Sequence, residues 1–78
     1  MADKNQLKEQ LKRKLDLSIP RVVKATQIDE AADQLIIKGT VNRQILEEVG
    51  QNVFGDRVIF ANTDIDDVLD ILNQIKQK

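Results

Sequence analysis

Across residues 4–16 an apolar residue returns every fourth position, at Leu7, Leu11 and Leu15, among the helix formers Lys, Gln, Glu and Arg. That period predicts an amphipathic helix. Its three leucines span only about 80° of the helix, a narrow stripe that predicts light docking, or docking onto something outside the domain. Ile19-Pro20 ends the segment, because proline pushes the residue before it out of the α region. Residues 21–28 (RVVKATQI) are rich in β-branched side chains and predict a strand. Residues 29–33 read as a polar turn. Residues 34–41 (QLIIKGTV) then predict a second strand, antiparallel to the first, with Leu35, Ile37, Gly39 and Val41 on one face.

Asn42 has the chemistry of an N-cap for a helix in which Ile45, Leu46, Val49 and Val53 share an arc of about 100°, and Gly55 suits its left-handed end. Gly50, at the edge of that arc, is expected to let the helix approach the sheet closely. Residues 57–62 (RVIFAN) predict a third strand, with Val58 and Phe60 on one face and Ile59 and Ala61 on the other. Thr63 or Asp64 caps a final helix reaching Gln77, whose apolar residues from Ile65 to Ile75 cover about 160°, the widest apolar face in the chain. The order α-β-β-α-β-α predicts an α+β two-layer sandwich, a three-stranded mixed sheet with the helices packed on one face, formed by residues 1–78 as a single domain.

Composition narrows the chemistry rather than the fold. Of 78 residues, 24 are Leu, Ile or Val, enough to build a core, although so short a chain buries a small share of its surface and makes self-association an open option. The chain has no Cys, His, Trp or Tyr and a single serine, Ser18. That removes disulfides, thiolate and imidazole catalysis, the usual zinc ligands, and the aromatic platforms on which bases stack. An enzyme is not expected, and no cofactor, metal or small-molecule substrate is implied. Asp64, Asp66, Asp67 and Asp70 resemble an acidic metal cluster, but aspartates in a first helical turn are accounted for by capping and the helix dipole. Phe54 and Phe60 are assigned to the core. With no membrane-length apolar run and no apolar leader, the expected location is the cytoplasm.

The net charge of −1 conceals a division: residues 1–24 sum to +4 and residues 25–78 to −5. Lys4, Lys8 and Lys12 form a stripe on the first helix, joined by Arg13, and Arg21 and Lys24 extend the basic character beyond it. The expected function is a non-catalytic interaction module that docks a protein partner, or a second copy of itself, through this basic helix or a sheet edge. The contact residues are Lys4, Leu7, Lys8, Leu11, Lys12, Arg13, Arg21 and Lys24. The alternative is a weak binder of nucleic acid or an anionic surface through the same stripe. A solvated helix face accounts for the same charges without any partner.

The stretch 35–62 resembles a BON domain. The matching positions are Leu35, Ile37, Gly39, Thr40 and Val41, where an apolar strand ends in a Gly-Thr-Val element, then Gly55, Val58 and Asn62 around the next strand. The resemblance implies an α-β-β-α-β fold and a non-catalytic role in binding phospholipid or other partners, and it does not include the helix at 64–77.

Overall fold

The computed structural model describes residues 3–77, and every regular element among them is a helix: α1 (Lys4–Ser18), α2 (Ala25–Lys38), α3 (Arg43–Phe54) and α4 (Ile65–Lys76). The α+β sandwich is therefore overturned, and with it the three-stranded sheet and any sheet edge. The segments 35–41 and 57–62, which carry the BON resemblance, are the end of α2 with its exit and an irregular turn, so the fold that resemblance implies is not the one adopted.

Three helices begin and end where their local chemistry places them. Asp3 Oδ1 accepts from the Gln6 N–H at 2.8 Å to cap α1, Asn42 Oδ1 from Ile45 N–H at 2.9 Å to cap α3, and Asp64 Oδ1 from Asp67 N–H at 3.2 Å to cap α4. Gly55 closes α3 with φ +71°, the left-handed conformation glycine adopts without a Cβ penalty.

α2 replaces the predicted hairpin. Ile28, Ala31, Ala32 and Leu35 are its buried residues, spaced i, i+3, i+4 and i+7, so one face of a single helix covers both supposed strands and the turn between them. The alanines are the strongest helix formers of all, and the two carboxylates read as turn residues, Asp29 and Asp33, lie one helical turn apart on the side facing α1. Residues 57–62 fail as a strand for a related reason: adjacent Ile59 and Phe60 are both buried while Val58 is 64% exposed, an arrangement that period-two alternation forbids. The Asp56 carboxylate accepts from Val58 N–H at 2.9 Å, and Ala61 and Thr63 N–H groups donate to the carbonyls three residues back, which makes the segment two successive turns.

The helices run alternately up and down. Lys8 and Lys12 of α1 meet Asp33 and Asp29 of α2, and Lys14 and Ser18 of α1 meet Asp67 and Thr63 at the start of α4, so both neighbours are antiparallel to α1. α1 packs on α4 and α2, and α2 packs on α3. α2 also touches α4, so α1 lies in the groove between these two helices, and the expectation of light docking is corrected: Leu7, Leu11 and Leu15 are at most 1% exposed. A narrow stripe suffices because it enters the groove between two helices instead of lying on one surface.

The turn 57–62 packs against α3. A Cβ added to Gly50 would lie 2.6 Å from the Asp56 carbonyl oxygen and 2.7 Å from Ile59 Cγ2, so this glycine admits the returning backbone and not a sheet. Gly50→Ala is expected to lose about 1–2 kcal/mol despite alanine's higher helix propensity, because overpacking against a backbone atom outweighs the gain of about 1 kcal/mol. Urea unfolding measures this; a stabilised variant would show that the turn yields freely.

Candidate functional site

The residues expected to meet a partner separate into three groups. Leu7 and Leu11 lie in the core and offer no surface. Lys8 and Lys12 are half-buried and committed within the chain: the Lys8 ammonium sits 3.0 Å from Asp29 and 2.8 Å from Asp33, and that of Lys12 lies 3.2 Å from Glu9 and 3.6 Å from Asp29. The contacts with Asp29 and Asp33 clamp α1 to α2, while that with Glu9 lies within α1. Lys4, Arg13, Arg21 and Lys24 are exposed and belong to no ion pair among the described residues. The basic stripe is therefore divided, its middle serving the fold and its far members left at the surface.

The clamp sets the protonation of its members. Hydrogen bonds to Asp33 and then Asp29 hold the Lys8 ammonium above its ordinary value of 10.5, outweighing partial desolvation. The bond from Lys8 holds the Asp29 carboxyl below its ordinary 3.8. The Lys8 contribution to stability is therefore complete below 10.5 and disappears as pH rises through the raised folded value; that of Asp29 is complete above 3.8 and disappears as pH falls through the lowered one. Thermal midpoints are expected to be level between these limits and to fall beyond each. Lys8→Met should remove part of the alkaline fall and Asp29→Asn part of the acid one, both effects shrinking in high salt because the partners are solvated. Unchanged pH profiles in both variants would mean that the clamp adds nothing.

Arg13 lines an open depression of about 290 Å³ where α1 passes the start of α2, together with Asp16, Val23, Ala25 and Ile28. Beyond it the connection from α1 to α2 carries Pro20, Arg21 and Val22. Ile19 is buried and Val23 half-buried, so the loop is pinned on both sides of Val22, which nevertheless stands 100% exposed. Leu17, in the last turn of α1, is 83% exposed and borders a depression shared with Asn62, Asp64 and Asp67. Leu17, between Asp16 and Ser18, falls outside the leucine stripe of α1, and Val22 lies in the segment whose β-branched residues predict a strand, so the sequence marks neither as an exposed aliphatic.

The hydroxyls at this end are fixed rather than activated. Thr63 Oγ1 donates to Ser18 Oγ at 2.7 Å, and Ser18 Oγ donates to the Leu15 carbonyl at 2.7 Å. Both protons are held, and the acceptor at the end of the chain is a helix carbonyl, which cannot serve as a general base. The aspartates of α4 cap and pair: Asp64 holds the helix start and Asp67 lies 3.1 Å from Lys14, with no convergence of three or more acidic groups among the described residues. The phenylalanines meet edge to face, centroids 5.7 Å apart, as core residues. No helix among the described residues is long and apolar enough to cross a membrane. The chain matches no model of a known protein family, no curated protein and no solved structure.

Proposed function

We propose that this chain is a non-catalytic interaction module of the cytoplasm that docks a protein partner through the end of the bundle where α1 passes into α2. The observation that carries the reading is Val22, fully exposed on a loop anchored by buried Ile19 and flanked by Arg21 and Lys24. A lone exposed aliphatic is ordinary on a protein surface. Here Leu17 stands exposed at the same end, and the adjoining cations Arg13, Arg21 and Lys24 have no ion pair among the described residues. Aliphatic side chains give a partner area to cover, and charges around them orient its approach. What this retains from the BON resemblance is the binding role alone. Nucleic acid is the weaker occupant, since Lys8 and Lys12 are engaged with Asp29 and Asp33 and the chain has no Trp or Tyr on which bases stack.

Photo-crosslinking from the host cell tests the reading. A benzophenone side chain at position 22 should yield protein adducts, and the same group at exposed Gln44 on α3 should not. Arg21→Glu with Lys24→Glu should remove the position 22 adducts. Equal adducts from both positions, or none from position 22, would refute the reading.

A further inference from the structure

The end of the bundle that carries Val22 is electrically divided. On one side Leu17 is bordered by Asn62, Asp64 and Asp67, with Asp66 exposed in the same first turn of α4; Lys14 neutralises Asp67 alone. On the other side Val22 is flanked by Arg21 and Lys24, with Asp16 the one carboxylate bordering the loop depression. The last turn of α1 joins the two sides. Its Ser18 hydroxyl holds Thr63 at 2.7 Å and so fixes the start of α4, while buried Ile19 fixes the loop. Each side therefore offers one exposed aliphatic among charges of one prevailing sign, negative around Leu17 and positive around Val22.

We propose that the occupant of this surface is a second copy of the chain, related by a two-fold axis, each subunit setting Arg21, Val22 and Lys24 on the partner copy's Leu17, Asp64 and Asp66. The proposal rests on the docking role above and adds the identity of the partner. A two-fold operation places positive on negative twice and closes the assembly at two subunits. An acidic peptide would answer only the positive side and leave Leu17 uncovered. A nucleic acid would answer the positive side and be repelled by α4. Juxtaposing like sides would oppose Arg21 to Arg21, which is strongly unfavourable at a contact.

Sedimentation equilibrium on the full chain tests this. The wild type should sediment as a dimer of the 8.9 kDa chain and dissociate as sodium chloride is raised. Arg21→Glu with Lys24→Glu makes both sides acidic. Asp64→Asn with Asp66→Lys makes both basic while retaining an N-cap at position 64. Each double variant should be monomeric, its dimer weakened about a hundredfold or more by the like charges brought together. An equimolar mixture of the two should form a one-to-one heterodimer, because both contacts are then complementary again. Circular dichroism melts establish that the variants are folded; if either is not, the salt series on the wild type decides. A wild-type monomer at millimolar concentration, a dimer indifferent to salt or to both reversals, or a mixture of folded variants that stays monomeric would each overturn the proposal. If the wild type is monomeric while position 22 crosslinks a different protein, the docking role stands and the second copy does not; if position 22 crosslinks nothing, both fall.

Discussion

Leu11→Ala is expected to lower the stability of the domain by about 2–5 kcal/mol, the range found when a fully buried leucine is truncated and its cavity only partly collapses. Leu11 is 0% exposed, at the middle of α1, where that helix enters the groove between α2 and α4. A chain of 78 residues has roughly 4–12 kcal/mol in total, so this one change removes a large share of it. The thermal midpoint should fall by about 10 °C or more. Leu17→Ala, on the same helix with its side chain in water, should change stability by no more than about 0.5 kcal/mol. The contrast tests the position of α1 directly: a helix that docked lightly would give a small loss at Leu11 as well. Urea unfolding of both variants, followed by circular dichroism, supplies the comparison.

The sequence allows α1, α3 and α4 to be read because each carries its own boundary chemistry. Asn42, Gly55 and Asp64 act through atoms within a few residues of themselves, so no tertiary information is needed to place them. α2 has no such marker at its start: Lys24 supplies no side-chain acceptor, and the only local aid is Gln27 Oε1 accepting from Lys24 N–H at a long 3.4 Å. In the absence of a cap, the β-branched residues flanking Asp29 and Asp33 point to two strands. Tertiary packing overrides that propensity, since Ile28, Ala31, Ala32 and Leu35 can all be buried at once only on a helix.

The same carboxylates decide what the middle of the basic stripe does. Lys8 and Lys12 are spaced one helical turn apart, as are Asp29 and Asp33, and opposite charges at matching spacing on successive segments are the pattern of two helices laid antiparallel. Taken alone, the lysines look like a surface waiting for a ligand. Taken with the aspartates they become a contact inside the domain, leaving Lys4, Arg13, Arg21 and Lys24 as the expected contact cations that stay exposed and outside any ion pair among the described residues. Leu17 lies off the leucine stripe of α1 and Val22 within a predicted strand, so their exposure is not legible in the sequence, and it is the burial of Ile19 with the half-burial of Val23 that makes the loop around Val22 a pinned one.

Phe60→Ala is expected to lose about 3–5 kcal/mol, and how this loss is distributed is more informative than its size. The pattern of 57–62 as a strand puts Val58 and Phe60 on one face, so that truncating either should have comparable effects. The observed turn separates them: Phe60 is 1% exposed and meets the Phe54 ring edge to face, while Val58 points largely to solvent. Val58→Ala should therefore remain within about 0.5 kcal/mol of wild type. Phe60→Leu keeps most of the apolar volume but loses the ring geometry and should fall between, at about 1–2 kcal/mol. The segment after α3 folds back on that helix, with Ile59 against Gly50 and Phe60 against Phe54. Removing the ring should thus release the end of α3 before the rest, so that amides of Val53 and Phe54 exchange faster than those of Leu11 and Leu15 by more than global unfolding accounts for. Hydrogen exchange on Phe60→Ala measures this. Uniform acceleration across α1 and α3 would show that the turn is merely one part of a single cooperative core, and equal losses from Val58→Ala and Phe60→Ala would restore the strand.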